Sequence, residues 1–140
     1  TPGRTQLINF FLIEEKKYLI DLPGYGYAKV PLETKDKWQF ELERYLRQRD
    51  ALVGVILLRD IRHPLKKFDR MMVEWSKQSG LPLHLLLTKA DKLKRGAAQN
   101  TLLKVEKELA DFDNVNVQLF SALRHVGIDS TRKVLTDWLG

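Results

Sequence analysis

Cysteine is missing from all 140 residues. That absence excludes a disulfide scaffold, a thiolate zinc site and a thiol nucleophile together, and it fits a reducing compartment. Long apolar runs are missing too: no stretch approaches the roughly 20 residues that a helix needs to cross a bilayer. There is no internal repeat, no low-complexity tract and no linker, which argues against a repeat array or a string of domains. Acidic residues are outnumbered. The 24 Lys+Arg against 18 Asp+Glu leave a net charge of +6, and the pI is about 9.6. The excess is spread out, with modest clusters at Lys35–Lys37, Arg44–Arg49 and Lys89–Arg95. It fits ordinary solvated helix faces, and it fits a surface that meets structured RNA. Composition does not choose between them.

What is present fits one globular domain spanning residues 1–140, with 44% hydrophobic and 30% charged residues. Two apolar runs, Leu7–Ile13 and Tyr18–Leu22, are separated only by the polar turn Glu14–Lys17, which predicts an antiparallel hairpin. Residues 23–33, rich in Gly, Pro and Tyr, predict a loop. From Thr34, a plausible N-cap, the period becomes helical through Trp38, Leu42, Tyr45 and Leu46. Leu52–Leu58 then predicts a strand buried on both faces. A helix over about Leu65–Gln78 follows, stopped by Gly80. Next come a buried strand at Leu83–Leu87, a helix from about Ala97 to Phe112, a strand at Val115–Phe120 and a last helix carrying Val134, Leu135, Trp138 and Leu139. Alternating strands and helices predict an α/β fold. Its sheet is mostly parallel, covered by helices on both faces, with the hairpin as one antiparallel edge.

Ligands of open parallel sheets bind beyond the carboxyl ends of the strands. After the second run stands Asp21-Leu22-Pro23-Gly24, after the Leu83 strand Thr88-Lys89-Ala90-Asp91, and after the last strand Ser121-Ala122-Leu123, while Thr5 precedes the first run. Each has a use in a guanine-nucleotide site. Asp21 can hold Mg²⁺ through water, and the Gly24 amide can meet a terminal phosphate. The Thr5 hydroxyl can complete the Mg²⁺ shell. Asp91 can accept hydrogen bonds from guanine N1–H and its 2-amino group, the Lys89 stem can cover the base, and the Ala122 amide can meet guanine O6. Taken singly, DxxG also fits a tight turn and TKxD fits a helix start capped by Asp91. Together and in this order, they point to one nucleotide site.

TPGRTQ, DLPGYGYAKV, DIRHP, TKADK and FSAL together resemble the EngB family of bacterial GTPases, in the Era-like branch of translation-factor-related GTPases. The resemblance runs along essentially the whole chain. It implies a P-loop NTPase fold of the small-GTPase type, with GTP or GDP and Mg²⁺ as ligands. It assigns Gly3, Arg4, Thr5, Gln6 and Leu7 to switch one, with Thr5 binding Mg²⁺ directly. Asp21, Leu22, Pro23 and Gly24 become switch two, with Asp21 reaching Mg²⁺ through water. Thr88, Lys89, Ala90 and Asp91 read guanine, with Thr88 in place of the more common Asn, and Phe120, Ser121 and Ala122 complete the base site. The family's phosphate loop, GxxxxGK[ST], is absent from these residues. Its strand and helix are therefore expected upstream of Thr1, and this chain alone is expected to be inactive. The implied function is a cytoplasmic, monomeric switch away from any membrane, which hydrolyses GTP to GDP. Its implied partner is the large ribosomal subunit precursor with its RNA, and normal cell division and septation depend on it. The alternative is an RNA- or ribosome-binding scaffold that does not hydrolyse nucleotide.

No catalytic residue is assigned. Ras-like enzymes carry a water-orienting Gln after DxxG; here Tyr25 follows, which implies slow intrinsic turnover or a switch residue that packs on the ribosome. The basic set Lys35, Lys37, Arg44, Arg47 and Arg49 reads as a solvated helix or an RNA-facing surface. His63 reads as a turn residue in a local network with Asp60 and Arg62. His84 reads as a satisfied core or edge histidine, and Trp38, Trp75 and Trp138 as core.

Overall fold

A computed structural model describes residues 9–14, 17–21, 44 and 52–140. The chain divides into two compact units, Thr1–Asp50 and Ala51–Gly140.

In the first unit, β1 (Asn9–Glu14) and β2 (Lys17–Asp21) pair antiparallel, Asn9 opposite Asp21 and Leu12 opposite Tyr18. This is the expected hairpin. A bulge between Leu12 and Glu14 brings Glu14 opposite Lys17. Arg44 is helical and exposed. The rest of the helix expected from Thr34, with Trp38 and the other basic residues there, lies outside the described residues.

The second unit is built on a parallel sheet in the order β3-β4-β5. Its strands are β3 (Val55–Asp60), β4 (Leu83–Thr88) and β5 (Val115–Leu119). Helices α1 (Lys67–Ser79), α2 (Arg95–Glu108) and α3 (Ile128–Leu139) alternate with them. The fold of this unit is α/β, a parallel sheet with crossover helices.

β4 is the heart of this unit. Leu83, Leu85 and Leu87 are fully buried on one face of its pleat, and His84 and Leu86 are buried on the other. Each leucine taken out of water is worth about 2 kcal/mol. β3 corrects an expectation. Its segment was expected to be covered on both faces, but Val53 is 46% and Leu58 60% exposed. The reason is position: among the described residues β3 hydrogen-bonds to β4 alone, so its apolar run lies at the edge of the described sheet.

α1 is fixed at both ends. Asp69 in its first turn is completely buried and accepts the Lys66 backbone N–H at 2.7 Å. Its carboxylate also pairs with the Arg59 guanidinium at 2.7 Å, which ties the helix to β3. At the other end Gly80 takes the left-handed conformation (φ 69°) and donates its N–H to the Lys77 carbonyl, where a β-carbon would be strained. Trp75 is buried, as expected. Trp138 of α3 is half-buried and lies over Gly54, where an added β-carbon would come within 2.5 Å of the indole. α2 packs on β5 and ends at Glu108 rather than Phe112. Beyond it Phe112 N–H bonds back to Leu109 O, and Val115 N–H to Phe112 O, so Asp111, Asp113 and Asn114 belong to turns that such residues favour.

His84 is buried, with Nε2 at 2.6 Å from Gln118 Oε1. The Gln118 amide nitrogen is spent on the Leu119 and Gly127 carbonyls. Its oxygen therefore accepts and His84 Nε2 donates, so the histidine is satisfied on this nitrogen, while Nδ1 is buried with no hydrogen-bond partner among the described residues.

Candidate functional site

Parallel register places three strand ends side by side. Asp60 pairs with Thr88, and Leu87 with Leu119. The segments that leave these ends are Ile61-Arg62, Lys89-Ala90-Asp91 and Phe120-Ser121-Ala122. They emerge at one edge of the sheet, where ligands of parallel sheets are held.

Backbone bonds lock the three segments together. Ile61 N–H donates to Thr88 O at 2.9 Å, Phe120 N–H to Leu87 O at 2.9 Å and Ala90 N–H to Phe120 O at 3.1 Å. Lys89 adopts a left-handed conformation (φ 56°, ψ 37°) and opens a single 3-10 turn, Ala90–Lys92. An L-residue is uncommon there and costs about 1 kcal/mol or more. The kink makes the chain leave β4 abruptly. Ala90 is buried while Lys89 and Asp91 stay accessible.

Asp91 does not cap a helix. Its Oδ1 accepts a 2.6 Å hydrogen bond from the Ser121 hydroxyl. Ser121 is wholly buried and in turn accepts the Arg124 N–H at 3.1 Å. That hydroxyl, helped by the residue's own backbone amide and by Lys92 and Arg124, holds the Asp91 carboxyl below the usual carboxylate range. The loop after Ser121 closes through two bonds of 2.9 Å between Ser121 and Val126. It leaves Ala122 exposed. Among the described residues none accepts a hydrogen bond from the Ala122 amide. An ionised carboxylate in fixed orientation therefore stands beside an uncommitted backbone donor.

The structure thus brings together Thr88, Lys89, Ala90, Asp91, Phe120, Ser121 and Ala122. Asp21 is the last residue of β2, in the other unit. Gly3, Arg4, Thr5, Gln6, Leu7, Leu22, Pro23, Gly24 and Tyr25 lie outside the described residues. Among the described residues no three His, Asp or Glu side chains gather as metal ligands, and no helix is long and apolar enough to cross a membrane.

The same edge holds a group that the motifs had placed only in a local turn. Asp60 Oδ1 accepts the Arg62 backbone N–H at 2.9 Å and Nε–H at 3.0 Å, and Oδ2 accepts the other guanidinium arm at 2.7 Å. The Arg62 side chain drives the Asp60 carboxyl far below its ordinary value. Lys89 Nζ stands 3.8 Å from Asp60 Oδ2. His63 joins through its backbone, donating to the Asp60 carbonyl at 3.0 Å. The sequence signal was DIRHP itself, an acid at a strand end; its link to Lys89 follows from the register.

No protein-family model matches the chain. Among solved structures the chain is similar to a probable GTP-binding protein EngB, with a TM-score of 0.75 and 19% identity over 98% of this chain and 82% of that one. It is also similar to the translation elongation factor SelB from Methanococcus maripaludis in complex with the GTP analogue GppNHp. There the TM-score is 0.66 and the identity 16%, over 98% of this chain and 29% of SelB. The apo form of SelB gives a TM-score of 0.53 at 15% identity, over 60% of this chain and 19% of that one. These likenesses establish the fold as that of a GTPase domain.

Proposed function

We propose that this chain is the guanine-reading part of a GTPase that works as a molecular switch. One observation carries it: the Asp91 carboxylate, held by Ser121 at 2.6 Å, beside the free amide of Ala122. Guanine presents N1–H and a 2-amino group next to the O6 acceptor. A carboxylate takes the two donors, and a backbone N–H meets O6. Adenine offers a lone pair where Asp91 needs a donor, and covering the carboxylate with a base that cannot pair it discriminates strongly. The exposed Lys89, kinked out of β4, carries an aliphatic stem that can cover the base face.

The EngB-like fold and the motif TPGRTQ support assigning phosphate and Mg²⁺ contacts to the first unit. Thr5 would bind Mg²⁺ directly and Asp21 through water; Asp21 ends β2, where such a ligand is useful. Bound Mg²⁺ neutralises charge on the phosphates. Gly24 offers its amide to the terminal phosphate. Gly3, Arg4, Gln6 and Leu7 belong to switch one, and Leu22 and Pro23 to switch two. Tyr25 after DxxG brings no amide to orient water, so intrinsic hydrolysis of GTP to GDP is slow. The same likeness and the charge of +6 support the large ribosomal subunit precursor and its RNA as partner. The setting is a cytoplasmic monomer, and loss of the protein would impair division and septation.

The test is a titration of fluorescent GDP against the full-length polypeptide, with ADP as competitor. GDP is expected to bind and ADP not to displace it. Asp91→Asn replaces one acceptor by a donor that suits the C2 carbonyl of xanthine. It should cost about a hundredfold in GDP affinity and bring xanthosine diphosphate in as the better ligand. Equal competition by ADP, or an unchanged GDP affinity in Asp91→Asn, would overturn the assignment.

A further inference from the structure

Asp60 and Arg62 stand beside the guanine-reading residues and are more than a turn lock. We infer that Asp60, held in place by Arg62, is a positioning residue for Lys89: it fixes where the Lys89 stem lies over the base. The inference rests on the guanine reading given above.

Three observations carry it. First, Asp60 is fixed on nearly every side. Its backbone ends β3 opposite Thr88, its carbonyl accepts His63 N–H, and its carboxylate accepts three bonds from Arg62. A carboxylate that only closed its turn would need the backbone bond alone. The bidentate guanidinium adds orientation and leaves Oδ2 turned toward Lys89. Second, Lys89 has little else to hold it among the described residues. Its side chain is 60% exposed, and its ion pair, at 3.8 Å, is to Asp60. Its backbone is pinned in the left-handed region, so the Cα is fixed while the four-carbon stem is free to swing. A charge near the far end of that stem favours the arrangements that lie toward Asp60. Third, Arg62 also feels the charge of Asp91. Asp91, Arg62, Asp60 and Lys89 therefore alternate in sign along the edge.

Holding the stem before the base arrives lowers the entropy lost on binding. The pair is exposed, so the gain is modest, about threefold in affinity. Selection at the base edge belongs to Asp91 and is untouched by Asp60.

A double-mutant cycle on the full-length polypeptide tests this. Asp60→Asn keeps an oxygen for the Arg62 backbone bond and removes the charge. GDP affinity should fall about threefold in Asp60→Asn and by more in Lys89→Ala, and Asp60→Asn should cost nothing further once Lys89 is alanine. The GDP-to-IDP affinity ratio should stay at its wild-type value in Asp60→Asn, because inosine differs only at the edge that Asp91 reads. Arg62→Ala should reproduce the Asp60→Asn loss. A purely structural role would lower melting temperature and leave GDP affinity alone. That result, or an equal loss in both Lys89 backgrounds, or a shifted GDP-to-IDP ratio, would overturn the inference while leaving guanine recognition standing. Wild-type protein that binds no guanine nucleotide would overturn both.

Discussion

β3 and β4 are near-twins as sequence, VILLRD and LHLLLT, yet the folded chain treats them differently. Five of the six residues of β4 are buried, and none of β3 is. Each carries four apolar residues, so apolar content does not separate them. β4 has a strand on either side, whereas β3 pairs with β4 alone among the described residues. The two ends differ as well. β4 runs into a kinked turn that presents Lys89 and Asp91. β3 runs into a carboxylate gripped by its own neighbour. Equal apolar content therefore produces a core strand in one place and, among the described strands, a charge-bearing edge in the other.

The largest break in that comparison should come from the leucines. Leu85→Ala should lose about 3 kcal/mol of unfolding free energy, because transfer and cavity terms add. Leu58→Ala, at an exposed site, should stay within about 0.5 kcal/mol of wild type. Urea denaturation of the two variants measures the contrast, and equal losses would mean that β3 is as deeply packed as β4.

A smaller effect is expected where β3 does hold something. Asp69 is fully buried, and its partner Arg59 is 16% exposed. Asp69→Ala strands the guanidinium and opens the start of α1. Removing one partner of a buried pair costs several kcal/mol, but Arg59 can turn to water, so about 2 kcal/mol is expected by the same denaturation assay. Leu58→Ala at the other face of β3 would again serve as the silent reference.

The smallest effect is in acid. Asp60 titrates far below its ordinary value of 3.8 because of Arg62. A depressed carboxylate stabilises the fold above its unfolded pKa, and that contribution is lost as pH falls toward the folded one. Stability from this group should thus be level from pH 7 to about 5 and decline below about 4. Asp60→Asn should lose less stability than wild type over pH 5 to 2.5, followed by thermal melting. Parallel curves would show that the Arg62 grip is not maintained in solution.

Much of the fold was legible in the chain. Helical period and Gly80 placed α1 to within two residues at its start. The apolar runs placed β4 and β5, and the short polar gap after Ile13 placed the hairpin. The end of α2 was misread because the spacing of Leu109 and Phe112 continues a helical stripe, while Asp111, Asp113 and Asn114 favour turns. The burial of β3 was misread because an apolar run states preference, not neighbours. At the site, Asp91 and Ser121 were legible as separate motif members. The grip of Ser121 on Asp91, and the reach of Asp60 to Lys89, were not.

What the sequence by itself determined is local. It set which stretches prefer strand or helix, where turns interrupt them, and which side chains stand at strand ends with chemistry suited to guanine. These follow from periodicity and from the conformational limits of single residues, which act between near neighbours. Tertiary structure decided which strand is central, which leucines meet water, and that Asp60, Lys89, Asp91 and Ser121 share one edge. Those outcomes depend on the parallel register of three strands far apart in the chain. Hydrogen bonds reach only a few ångströms and exposed charges are screened beyond about 10 Å, so these groups influence one another only after the sheet has put them there.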